Sequence, residues 1–196
     1  METYCLVVLE GAEAQVRGFL AGWAAAAKLD WSVLFCEESG VRTEGFAHRL
    51  LERMRIDAET THLLVPRDLC GPLREVLAAL PPRSGVSLKL RAEQEIESAS
   101  LAFRYRAFSR DTAARIRGIL ADLPAGARLT DTKEEEHVDP GATGVEVYAP
   151  EHDYRLTGSA RVSGPLASVL AARARMEPVE MIDLEPIQLV LRDSGR

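Results

Sequence analysis

The chain has no asparagine, three lysines, three cysteines and only 6% aromatic residues. Each scarcity excludes something. Cys5, Cys36 and Cys70 are odd in number and widely spaced, with no CxxC pair. That spacing excludes a zinc ribbon and a disulfide framework, and leaves thiols that behave as small buried hydrophobes. No apolar run approaches the roughly 18 residues of a membrane span. The longest apolar cluster, Trp23 to Ala27, is alanine-rich and ends at Lys28. The opening segment, Met1 to Glu10, has no basic stretch and too short an apolar run for a signal peptide. The expectation is a cytoplasmic protein without a membrane partner. Phosphate-binding GxxxxGK[ST], dinucleotide-binding GxGxxG, zinc-protease HExxH and hydrolase GxSxG signatures are all missing. Lysine is scarce because 21 of the 24 cationic side chains are arginine. With the lack of asparagine, this skew reflects a GC-rich coding sequence more than a function.

What is present is enough for a packed core. The 196 residues are 46% hydrophobic, which suits one large domain or two of about a hundred residues. Net charge is −6, so a generally basic nucleic-acid binder is disfavoured, although a local basic face is not.

Internal similarity organises the chain. Gly71-Pro-Leu-Arg-Glu-Val-Leu-Ala-Ala79 recurs as Gly164-Pro-Leu-Ala-Ser-Val-Leu-Ala-Ala172, seven of nine positions identical at an offset of 93. Val86 falls on Val179 in the same register. Val16-Arg-Gly-Phe-Leu-Ala21 recurs as Ile116-Arg-Gly-Ile-Leu-Ala121 at an offset of 100. Each copy reads as strand, helix, two strands, helix, strand. Tyr4–Leu9 is a strand, and Ala12–Ala27 is a helix with Val16, Phe19, Leu20 and Trp23 on one face. Trp31–Cys36 and Thr61–Val65 are strands. Asp68 is the expected cap of a helix through Leu80, and Val86–Ala92 is a strand. In the second copy Leu101–Phe108 is a strand, and Ser109 or Asp111 caps a helix. Arg128–Val138 and Val145–Val162 are extended, and Pro165–Met176 is a helix. Val179–Leu191 closes the copy.

This order predicts an α+β protein of two tandem ferredoxin-like (βαββαβ) units from an internal duplication, packed with pseudo-twofold symmetry. The units span 1–97 and 98–196. The first carries an inserted helix near 44–55, where Phe46, Leu50, Leu51 and Met54 form a stripe. Gly18 and Gly118 occupy the same helix position, which suggests close packing there.

Two patterns bear on function. Strand alternation sets Lys89, Arg91, Arg104, Arg106, Arg155 and Arg161 on the side away from their apolar neighbours. The helices of a split βαβ unit cover one sheet face, so these cations fall on the open face. Glu93, Glu95 and Glu146 are the acids near enough to balance them. Phe103 and Tyr105 alternate to the covered side, which argues against RNA, whose bases need exposed aromatics. The second pattern is Glu135, His137 and His152, which a hairpin turn at Pro150–Asp153 would bring together. Such a set suits Zn, Mn or Fe. His48 and His62 have no evident partner and read as structural.

The leading expectation is a non-catalytic binding or regulatory module. It takes a small anionic ligand or an acidic protein surface on the open sheet face or in the groove between units. The alternative is a metal-assisted enzyme centred on His137 and His152, with Glu135 as a further ligand or base. A third reading is a structural, oligomerising protein, in its simplest form a homodimer.

Overall fold

The computed structural model describes residues 3–27, 33–43, 59–80, 88–138 and 154–192. The expected helix near 44–55, with His48, lies outside these residues, as do Val86, the 150–153 turn and His152. The protein is α+β, with mostly antiparallel strands and, among the described residues, four helices. It divides into two compact units. Unit 1 comprises Met1–Glu97 and Gln188–Arg196, and unit 2 comprises Ser98–Ile187.

Unit 1 runs β1 (Tyr4–Glu10), α1 (Glu13–Ala27), β2 (Leu34–Phe35), β3 (Val41–Arg42), β4 (Thr60–Pro66), α2 (Arg67–Ala78) and the first part of β5 (Lys89–Ala107). Its main strands lie in the order β2-β4-β1-β5. A late strand, Ile187–Leu191, pairs with β5 and β3. β1 pairs antiparallel with β4, Leu6 opposite Leu64, and with β5, Val7 opposite Glu93. Cys5, Val7 and Leu9 of β1, with Leu63 and Val65 of β4, pack against Val16 and Leu20 of α1 and Cys70, Leu73 and Leu77 of α2. The helical stripe of α1 is thus the one its spacing predicts. Leu6, Val8 and Leu64, which point the other way, are also buried. A strand buried on both faces carries no polar alternation, and this is why β1 reads Cys-Leu-Val-Val-Leu.

α2 begins earlier than expected. Asp68 does not cap it. Pro66 stands at the N-cap with no side-chain cap bond, and the Arg67 N–H donates to the Thr3 carbonyl at 2.9 Å. A backbone carbonyl therefore satisfies one of the orphan donors that a capping side chain usually takes. Asp68 falls in the first turn, where its charge suits the positive end of the helix.

Unit 2 runs from the second part of β5 through α3 (Arg110–Ala121), β6 (Arg128–Val138), β7 (Tyr154–Gly164), α4 (Leu166–Met176) and β8 (Ile182–Leu184). That last strand precedes the late one of unit 1, which is β9. The order is β8-β5-β7-β6, with each of these pairings antiparallel. Ser109 caps α3 as expected, its hydroxyl accepting from the Thr112 N–H at 3.2 Å. Leu101, Phe103, Tyr105, Leu156 and Val162 from the sheet are buried with Ile116 of α3 and Val169 and Met176 of α4. Full burial of each such side chain contributes about 1.5–3 kcal/mol.

Three expectations are corrected. The segments 86–92 and 101–108 are not separate strands, because β5 runs unbroken from Lys89 to Ala107. The intervening Glu93–Ser100 lacks apolar alternation and reads as a linker. It stays in the sheet through pairing of Glu93, Gln94 and Glu95 with β1 and burial of Ile96 and Ala99, and helix arginines meet its acids: Arg74 pairs with Glu93 and Arg67 with Glu95, both at 2.8 Å. Next, the two Gly-Pro pairs do not stand at equivalent places. Gly71 and Pro72 lie inside α2, whereas Gly164 ends β7 and Pro165 caps α4. Gly164 has φ +157°, and a Cβ there would meet the Gly126 carbonyl oxygen at 2.5 Å, so only glycine fits. Finally, Gly18 and Gly118 are not close-packed. A Cβ on either meets nothing within 4 Å.

Gly18→Ala and Gly118→Ala should therefore each raise stability by about 0.5–1 kcal/mol, through helix propensity alone. Gly158→Ala should do the opposite. Its Cβ would lie 2.3 Å from Cζ of the buried Tyr105 ring, and relieving that overlap should cost about 1–3 kcal/mol. Urea unfolding midpoints of the three variants measure both signs. A destabilised Gly18→Ala would contradict the open helix surface.

Candidate functional site

The register of unit 2 decides which side chains share a face. Leu101, Phe103 and Tyr105 lie opposite Val162, Ala160 and Gly158 on the helix side. The residues between them face the other way. Ala102 lies opposite Arg161, Arg104 opposite Ser159, and Arg106 opposite Thr157. From β6, Lys133 lies opposite Ser159, Glu135 opposite Thr157 and His137 opposite Arg155. From β8, Asp183 lies opposite Arg104. Directly opposed side chains of an antiparallel pair stand about 4.5–5.5 Å apart at Cβ. Arg104, Arg106, Arg155 and Arg161 thus occupy one open face with the Ser159 and Thr157 hydroxyls between them.

The four arginines differ in how far they are neutralised. Arg161 is held, with Nε 3.3 Å from Asp131 and Nη1 donating to Ser100 Oγ at 3.5 Å. Asp131 reaches it from a bulge in β6, where its backbone adopts φ 53°. Arg104 is 75% exposed and 3.7 Å from Glu185, a solvated pair worth little. Arg106 and Arg155 are exposed and have no ion-pair partner among the described residues. The face as a whole is a mosaic, because Glu135 and Asp183 also lie on it.

Lys89 and Arg91 are the remaining two of the expected cations. They belong to unit 1, where Lys89 lies opposite Glu10. Arg91 falls at the register shift between Val8 and Leu9, and its guanidinium is paired with Glu10. Of the expected balancing acids, Glu146 lies outside the described residues and the other two are committed elsewhere. Glu93 is taken by Arg74, and Glu95 by Arg67 and Arg192.

Glu135 and His137 project from the same side of β6, both exposed. Their expected partner, His152, lies outside the described residues. His62 is structural: Nδ1 is 2.6 Å from Thr43 Oγ1, and burial lowers its pKa, which keeps the ring neutral.

The helix side of β6 carries a network that strand alternation alone does not reveal. Arg117 of α3 donates to Glu134 Oε1 and to Glu136 Oε2, the latter at 2.8 Å. The Tyr105 hydroxyl donates to Glu134 Oε2 at 2.8 Å. Hydrogen bonding from Arg117 holds the Glu134 and Glu136 carboxyls below their ordinary range. Burial, reinforced by the bond to Glu134, pushes the Tyr105 phenol up to about 12. Sequence reasoning also missed a second grouping, in unit 1, where Cys5, Cys70 and Glu93 bring their ligand atoms within 4.8 Å of one another. Its signal was the parity of β1 and the first turn of α2, which place both thiols on the helix side of the sheet.

No protein-family model matches the chain, and no curated protein matches it. It is similar to a solved structure described as an unknown protein from Galdieria sulphuraria, at 14% identity. That similarity covers 96% of this chain and 98% of the other, with a TM-score of 0.27. Among the described residues, no helix is long and apolar enough to cross a membrane.

The Tyr105 network makes a pH prediction. The folded state holds the phenol proton more tightly than the unfolded chain, where the pKa is about 10. The stability it contributes is fully present below pH ~10 and is lost as pH rises through about 12. Urea midpoints across this alkaline window should fall in the native chain and fall less in Tyr105→Phe. A Tyr105 that ionises with an ordinary midpoint in an absorbance titration would contradict the network.

Proposed function

We propose that the chain is a non-catalytic binding module built from two ferredoxin-like units that arose by duplication, and that the open face of unit 2 captures a small anionic ligand. The strand orders β2-β4-β1-β5 and β6-β7-β5-β8 support the duplication, since in both the second strand of the unit lies at the edge and the first strand lies inside. Helix starts support it in a register different from the Gly-Pro match. Pro66, Cys70, Leu73 and Leu77 correspond to Pro165, Val169, Ala172 and Met176, each pair ninety-nine residues apart. Both prolines are N-caps, and the other three pairs are buried. The repeated Arg-Gly helices agree with this. Arg17 stacks 3.8 Å over Phe35 of β2 and pairs with Glu38 just beyond it, while Arg117 pairs with Glu134 and Glu136 of β6. In each unit the same arginine ties the first helix to the second strand.

The observation that carries the ligand reading is the pair of exposed guanidiniums at Arg106 and Arg155, which have no ion-pair partner among the described residues, with Arg104 only loosely engaged. Threonine and serine hydroxyls stand directly across the strand from Arg106 and Arg104. Guanidinium forks and hydroxyls together suit the planar or tetrahedral oxygens of a carboxylate or phosphate. The same surroundings disfavour the metal reading at His137, whose cross-strand neighbour is the cationic Arg155. Edge pairing into oligomers is opposed by the charge density of β6, which carries Lys133, Glu134, Glu135 and Glu136 in a row.

The test is titration of the whole protein with inorganic phosphate and with citrate, followed by calorimetry. Binding should be saturable and should weaken with added salt. Arg104→Glu with Arg106→Glu should abolish it while the circular dichroism spectrum is unchanged. Undiminished binding in that double variant, or no binding by the native chain, would overturn the small-anion reading.

A further inference from the structure

We propose that Cys5, Cys70 and Glu93 form a binding site for a divalent transition ion, zinc by the chemistry of the donors, that ties β1, α2 and β5 together. The three residues come from parts of the chain far apart in sequence, yet the fold gathers them on the helix side of the unit 1 sheet. Cys5 lies on β1 opposite Glu95, which makes Glu93 its diagonal neighbour on the same face of β5. Cys70 comes down from the first turn of α2. Its thiol donates to the Pro66 carbonyl at 3.6 Å.

The donor atoms lie within 4.8 Å of one another. Zinc takes sulfur at about 2.3 Å and carboxylate oxygen at about 2.0–2.2 Å, so tetrahedral donors stand roughly 3.5–3.8 Å apart. Closing onto an ion therefore asks about 1 Å of movement from side chains already facing each other. Two thiolates select zinc over magnesium or calcium, and one carboxylate is compatible with it. Three protein donors leave a fourth position for water.

The second shell fits as well. Arg74 follows Cys70 by one helical turn, and its Nη2 donates to both Glu93 oxygens, at 2.9 and 2.8 Å. Such a partner orients a ligating carboxylate. When the ion binds, each thiol releases its proton to solvent as the metal–sulfur bond forms, with no change of oxidation state. Two thiolates and one carboxylate carry three negative charges, and zinc with Arg74 supplies three positive ones. Both cysteines are buried, whereas the Glu93 side chain retains 23% exposure, so the carboxylate side gives the route of entry.

The experiment is titration of the reduced full-length protein with Co²⁺ and then Zn²⁺, reading the thiolate-to-cobalt charge-transfer band. The expected result is one equivalent of cobalt with a tetrahedral spectrum, displaced by one equivalent of zinc. Cys70→Ala should abolish the band. Glu93→Gln keeps both thiols and the core, and should weaken zinc binding by at least ~10-fold. Cys36→Ala removes the remaining thiol and should leave the titration unchanged. A native protein that develops no charge-transfer band overturns the proposal. So does a band that Cys36→Ala removes, or one that Glu93→Gln leaves at full affinity.

Discussion

Everything about the open face rests on one steric fit in unit 2, the Tyr105 ring lying over Gly158. The ring occupies the space that any Cβ at position 158 would need, so β5 and β7 can pair deeply only with those two residues opposite each other. Because side chains alternate with period two, that one match fixes the rest. A slip of one residue would turn Leu101 and Phe103 to water and Arg104 and Arg106 into the core. The Tyr105 hydroxyl then reaches Glu134, and Glu134 reaches Arg117 on the helix above. The same fit thereby fixes β6 and α3 as well.

Charge is used differently on the two sides of the sheets. On the helix side, carboxylates of strands and of the turn after β2 are held by helix arginines: Arg17 with Glu38, Arg74 with Glu93, Arg117 with Glu134. These pairs are partly exposed, so each contributes little to stability. Their effect is to specify position. They accompany the backbone pairing of polar stretches such as Glu93–Glu95 with β1. They also remove those acids from the neighbourhood of the arginines facing the other way.

Much of the local structure was legible in the sequence. The stripe Val16, Phe19, Leu20, Trp23 faces the core, Ser109 caps its helix, and Arg104 and Arg106 alternate with buried Phe103 and Tyr105. Two of the failures share a cause: each depended on a partner far away in the chain. The cap of α2 is a backbone carbonyl contributed by Thr3, so Asp68 was a reasonable choice that local chemistry could not correct. The continuity of β5 rests on strands distant in sequence, β1 along its first part and β7 along its second. The Gly71 and Gly164 match was a true identity of residues without identity of place, because alanine-rich helices can be aligned a turn or two out of register. Cys70 and Leu73 of α2, and Val169 and Ala172 of α4, are each buried at the same spacing from the proline that opens their helix.

The same reasoning explains how two of the widely spaced cysteines, all free and buried as expected, come to lie near one another. Spacing rules for metal ligands hold for small domains, where ligands must come from one short turn because there is little else to hold them. In a sheet with helices on one face, position is set by register instead. Cys5 and Cys70 are sixty-five residues apart in sequence, yet β1 pairs with β4, and α2 follows β4 with no intervening loop. The first turn of that helix must therefore stand beside the start of β1, whatever the sequence separation. Parity then turns Cys5 toward the helix layer, as it turns Val7 and Leu9. Glu93 arrives from the other flank of β1 by the same rule. The juxtaposition of two thiols and a carboxylate thus follows from strand order and alternation, the same two constraints that set arginines on the open face of unit 2.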